Sequence, residues 1–285
     1  MTASAGPALG YRVIPRDEWL ARRVSHEDRV DALLVGHLAR RRTGVPHPVE
    51  DFLFTYYSYR PAQLRRWHPG PGVTLEAANG LDGPDPVDVP AVLARRGASI
   101  AWIRALLSAT ASRQPHFGCF GMHEWAMVYR QPPSEVRHRS HPLRLGPDGT
   151  AAVVDELAIR CSHFDAFRFF TPAARPLNVL QPDRASQPEY EQPGCLHANM
   201  DVYRWAYKLV PLVPSELVVD CFVLAREIRT LDMRASPYDL TGIGLEPVRV
   251  ETPEGRAEYV RRQRAVAEQT AGLRQRLIES IDAAT

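Results

Sequence analysis

The stretch CLHANMDVYRWAYKL, Cys195 to Leu209, combines a helical pattern with side chains able to do chemistry. At 3.6 residues per turn, His197, Asp201, Arg204 and Lys208 fall on one face, while Leu196, Met200, Tyr203 and Tyr207 gather on the other. An imidazole beside a carboxylate can move a proton or share a cation, and an amine can serve as nucleophile, base or compact charge. Lys208 is the only lysine, and the other 34 of the 35 basic residues are arginine. An ordinary i, i+4 pair and a lysine snorkelling at a helix end account for the same residues without function.

Two more His/carboxylate pairs lie upstream. In HFGCFGMHEWAMVYR, His123 and Glu124 stand at a helix start, where Glu124 also suits the helix dipole. In AIRCSHFDAFRFFT, His163 and Asp165 are two apart and share a face if the segment is a strand, as the alternation of Ile159, Cys161, Phe167 and Phe169 indicates. Three pairs on three elements can build a general acid/base site. The alternative is a non-haem metal site in which His123, His163 and His197 converge with Glu124, Asp165 or Asp201. Ten histidines in 285 residues also make chance pairs common. No Gly-rich phosphate loop, GxSxG elbow, HExxH pair or GxGxxG turn is present, which removes several enzyme classes.

The segment HPVEDFLFTYYSYRPAQLRRWHPG, His47 to Gly70, interleaves Tyr56, Tyr57 and Trp67 with Arg60, Arg65 and Arg66. Aromatic faces stack on bases and guanidinium groups neutralise phosphates, so this pattern fits a nucleotide or nucleic-acid surface. A core helix followed by a Pro-initiated helix has the same composition.

These phrases, with FGCFGMHEWAMVYR, IRCSHFDAFRFFTP and QPGCLHANMDVYRWAYKLVPLVPSELVVDCFVLAREIRTLDMRASPYDL, resemble a bacterial family labelled 3-methyladenine DNA glycosylase, over most of Val45 to Leu240. The helix-hairpin-helix turn with its catalytic Asp is absent, so the resemblance implies an activity and no site residues. Excision of a cationic alkylated base needs an aromatic pocket, a carboxylate to stabilise the sugar cation or activate water, and arginines for phosphates. On that reading DNA is the partner and no cofactor is required. Tyr56, Tyr57, Trp67, Trp125 and Trp205 are expected to wall one pocket, and Arg60, Arg65, Arg66 and Arg204 to meet phosphates. Asp201 is the preferred carboxylate, oriented by His197, with Lys208 as a phosphate contact. The competing readings are a metal-dependent oxidase or hydrolase built on the His/carboxylate pairs, and a nucleotide-binding protein without catalysis.

The elements that must position these residues are mostly helices. Apolar residues recur at helical spacing over Arg16 to Arg42, Val89 to Gln114, Pro214 to Met233 and Pro253 to Ala284, with Arg226, Glu227 and Arg229 read as a solvated side. A single mainly helical domain over residues 1–285 is expected. Its first fifteen residues are expected to be flexible, and a small β element is expected near Leu143 to Phe170. The Pro-rich connection Thr171 to Pro193 reads as a loop covering a site. Net charge is only +2, too little for a dedicated nucleic-acid binder, so any such contact is local. The four cysteines form no CxxC pair, and no apolar run reaches the roughly 18 residues of a membrane span. A cytoplasmic protein is expected, and the C-terminal helix is free to pack on the body or on a second copy.

Overall fold

The computed structural model describes residues 12–77, 83–132, 134–136, 138 and 140–285. In chain order they form β1 (Arg12–Ile14), α1 (Arg16–Thr43), α2 (Phe52–Thr55), α3 (Pro61–Arg65), β2 (Val73–Leu75), α4 (Val89–Ala111), α5 (Met122–Ala126), α6 (Gly146–Glu156), α7 (Phe164–Phe167), α8 (Gln187–Tyr190), α9 (Leu196–Leu209), α10 (Ser215–Arg234) and α11 (Pro253–Asp282). The architecture is mainly α, and no helix among these residues is long and apolar enough to cross a membrane.

Helix α9 is the axis of the molecule, packed against α10 and α11. Its two expected faces do not survive the fold. Leu196 to Tyr203 is buried without a break, and only Arg204, Tyr207 and Lys208 reach the surface to any degree. The apolar part of that burial, with Met200, Tyr203, Trp205 and Leu209, contributes about 1.5–3 kcal/mol per large side chain. Helix α4 is capped by Asp88, whose side chain accepts from the Ala91 backbone N–H, and it buries Ile100, Ile103, Leu106 and Leu107. Helix α11 lays Val266, Leu277 and Ile281 on α4, α9 and α10, so its apolar stripe is used within the chain.

The sheet is not where the alternating residues placed it. It is a two-stranded parallel pair, β1 with β2, with Ile14 opposite Leu75. Residues 12–14 are therefore structured, while 1–11 lie outside the described residues. Near residue 160 the chain is extended, but its partner is largely one side chain. Asn178 Oδ1 accepts from the Cys161 backbone N–H and Asn178 Nδ2 donates to the Cys161 carbonyl, beside an isolated bridge from Ile159 to Asn178. A single asparagine satisfies the backbone there, and at Phe164 the chain turns into α7.

Candidate metal centre

Helix α5 is five residues long and wholly buried, an unusual setting for a charged sequence. The chain enters it through Phe120 (φ 48°) and Gly121 (φ 72°), two successive left-handed residues. At Phe120 this conformation costs on the order of 1–3 kcal/mol. The reversal drives Met122, His123, Glu124 and Trp125 into the body instead of onto the surface. His123 and Glu124 then meet α10. His123 Nε2 lies 2.7 Å from Asp232 Oδ1, and Arg229 Nη1 lies 2.6 Å from both Asp232 Oδ2 and Glu124 Oε1. Arg229 is thus no solvated residue: it is 2% exposed and neutralises two buried carboxylates. It stands one turn past Ala225 on the apolar stripe, and Asp232 follows three residues later.

The start of α9 delivers His197. Gly194 makes this possible, because a Cβ there would sit 2.4 Å from the His116 carbonyl oxygen. Gln192 bonds both backbone groups of His116, and Gln263 on α11 donates to the Gly194 carbonyl, so the loop is pinned from two sides. The His197 ring meets His123 edge-on with centroids 4.3 Å apart, and stacks on His163 at 5.3 Å.

The three expected His/carboxylate pairs are re-dealt. His123 pairs with Asp232 and Glu124 with Arg229. His163 Nε2 lies 3.3 Å from Asp201 Oδ2 and 3.4 Å from Glu191 Oε1. Asp165 is held by Arg204, Arg184 and Arg168. Asp201 takes its partners from the Tyr57 hydroxyl (2.8 Å), His163 and Arg204, and His197 does not orient it. Sequence reasoning missed Asp232, Glu191 and Cys119. Asp232 was readable as a charge in register with an apolar stripe, whereas nothing local marks Glu191 within its loop.

The electrostatics follow from burial and pairing. Burial lowers the His197 pKa, and the His123 charge beside it lowers it further, so His197 is a neutral imidazole. At His123 burial also pulls downward, but the Asp232 carboxylate prevails and the pKa is held well above the ordinary value. Burial pushes Asp201 up, yet Arg204, His163 and Tyr57 bring it down to about 2. His163 Nδ1 is buried without a hydrogen bond, and its Nε2 is met only by the Asp201 and Glu191 carboxylates.

The ligand geometry is sharpest at His123, His197 and Asp232. One donor atom from each lies within 4.8 Å of the other two, on three different helices, and all three residues are buried. Two imidazoles and a carboxylate suit Fe(II) or Zn(II), and three protein ligands leave positions open for water, dioxygen or substrate. Arg229 on Asp232 and Cys119, whose Sγ is 3.8 Å from His123 Nδ1, stand behind the ligands and fix their orientation.

The five rings expected to wall one pocket do not all meet. Trp67 stacks on Trp19 in a separate cluster and donates to Glu216, and Trp125 donates to the Ala235 carbonyl behind α5. Tyr56 and Tyr57 pack against Arg204, and Trp205 meets Trp102. Tyr56, Tyr57 and Trp205 thus gather around the Arg204 guanidinium, while Trp67 lies in a separate cluster and Trp125 packs behind α5. Arg65 forks onto Asp31 with Glu27 beside it, and Arg60 and Arg66 are exposed. Comparisons with protein-family models, curated proteins and solved structures return no match.

Proposed function

We propose that this chain is a metal-dependent enzyme in which His123, His197 and Asp232 hold a divalent transition-metal ion. The observation that carries the reading is the convergence of two imidazoles and one carboxylate from α5, α9 and α10 within 4.8 Å in a buried setting. A bound cation offsets the cost of burying the carboxylate, and its open positions polarise water or dioxygen. His197 at 6%, His123 at 2% and Asp232 at 1% exposure are all buried, so the ion would be shielded from bulk water.

Base excision, implied by the resemblance of the sequence phrases, would rest on Asp201 instead. Asp201 is fully buried beneath Tyr57 and Arg204, which favours a structural role for it over contact with a flipped base. The experiment is elemental analysis of protein purified without chelating resin from cells supplied with iron, zinc and manganese. Bound metal in the wild type and its loss in folded Asp232→Asn are expected. Folded wild-type protein without metal overturns the proposal, and release of free base from methylated DNA by such protein would return the assignment to Asp201.

A further inference from the structure

One cavity lies apart from the buried centre, in the surface groove between α4 and α9. It encloses about 520 Å³, within the roughly 300–1,000 Å³ of small-molecule sites. Its walls are Arg96, Ser99 and Trp102 from α4, with Trp205 and Lys208 from α9. Trp102 is the anomaly on α4. The helix buries Ile100, Ile103, Leu106 and Leu107, yet leaves this indole 39% exposed. Its neighbour Trp205 is 4% exposed and meets it at 69° with centroids 5.5 Å apart, so Trp205 braces Trp102 and leaves it open to the groove.

The charge in the groove has one sign: among the described residues two cations and no carboxylate line it. Arg96 Nη1 donates to the Val210 carbonyl at 2.9 Å, which fixes the guanidinium at the wall and leaves its other donors, among the described residues, without a protein partner. Lys208 Nζ stands 5.7 Å from the Trp205 ring centroid. Asp165 and Asp201, the acids whose charge acts on Lys208, are already engaged by Arg204, so among the described residues Lys208 has no carboxylate of its own. In a protein that otherwise uses arginine throughout, the compact ammonium suits a point contact to an anion.

We propose that this groove binds a small planar aromatic anion, its ring on Trp102 and its anionic group between Lys208 and Arg96. One open indole and two cations accommodate one ring and one acidic group, not a run of nucleotides. Lys208 follows His197 by about three turns, roughly 16 Å along the α9 axis, so the site is separate from the metal ligands and stands without them.

The test is isothermal titration calorimetry of the full chain with two probes of this chemistry, an aryl carboxylate (indole-3-carboxylate) and a nucleoside monophosphate (AMP). Indole and adenosine serve as uncharged controls. Saturable heat of binding with either anion is expected, with an affinity at least tenfold tighter than that of its uncharged control. The arm that saturates tells carboxylate from phosphate. Trp102→Ala, at an exposed position, should abolish the effect, and Lys208→Gln should weaken it about tenfold. Asp232→Asn should leave it unchanged, which separates this site from the metal centre. The proposal is overturned if neither anion saturates, if Trp102→Ala binds as the wild type does, or if a single-stranded oligonucleotide binds far more tightly than AMP.

Discussion

The segment His47 to Gly70 and the polar core around His197 carry similar residue types and use them in opposite ways. In the segment, ionic groups take surface partners, as Arg65 does with Asp31 and Glu27, and the aromatics stack on one another or fill the body. In the core, Arg229 serves two carboxylates at once, and the rings of His123, His163 and His197 lie against each other. Charge exposed to water costs little, whereas charge taken from water persists only when it is paired or serves a ligand. Density of reactive side chains along the chain is therefore a weaker signal than their burial.

Removing the central cation of the core should have the largest effect. Arg229→Ala leaves Glu124 and Asp232 buried without their guanidinium, at a cost of about 3–5 kcal/mol. Urea denaturation should show either that loss or no folded protein, and a loss under about 1 kcal/mol would erase the contrast between the regions.

The two regions should also respond to acid in different windows. Asp201 in the core is depressed to about 2 from 3.8, so its contribution, about 2 kcal/mol, is present above pH 4 and lost as pH falls toward 2. Asp201→Asn should flatten the acid limb of the stability curve there. His68 belongs to the segment, and burial lowers it to about 4 from 6.5. The unfolded chain then takes up the proton first, so stability is intact above pH 6.5 and declines as pH falls toward 4, by about 1–2 kcal/mol after allowance for partial exposure. His68→Gln should remove that slope and leave the lower one in place. A single merged transition in both variants would contradict the separation.

How much of this was readable from the chain differs between the same regions. The long helices are legible, because α1, α4, α9, α10 and α11 bury residues at helical spacing, and the three histidines whose rings lie together in the core stand out in the sequence beside carboxylates. Their partners do not, because pairing His123 with Asp232 spans 109 positions and no local spacing encodes it. His163 and Asp165 looked like a pair on a strand, but the turn into α7 sends Asp165 to Arg204 and leaves His163 facing Glu191 and Asp201. The aromatic segment misled for a related reason. Phe52, Phe54, Tyr56, Tyr57 and Tyr59 all join the main core, and only Trp67, beyond the short helix α3, enters the separate cluster of Trp19.

The smallest effect is expected on the segment's surface. Arg65→Ala removes an exposed ion pair and should change stability by no more than about 1 kcal/mol, less still at high salt. A loss comparable with that of Arg229→Ala would show that exposure does not divide the two regions.

The central claim is most directly tested by anomalous diffraction from crystals of the full chain grown with Fe(II), Zn(II) or Co(II). The metal centre predicts one strong peak about 2.0–2.3 Å from a ring nitrogen of His123, a ring nitrogen of His197 and an Asp232 carboxylate oxygen. Density with no such peak, and with His123 still hydrogen-bonded to Asp232 as in the metal-free pair, would contradict it.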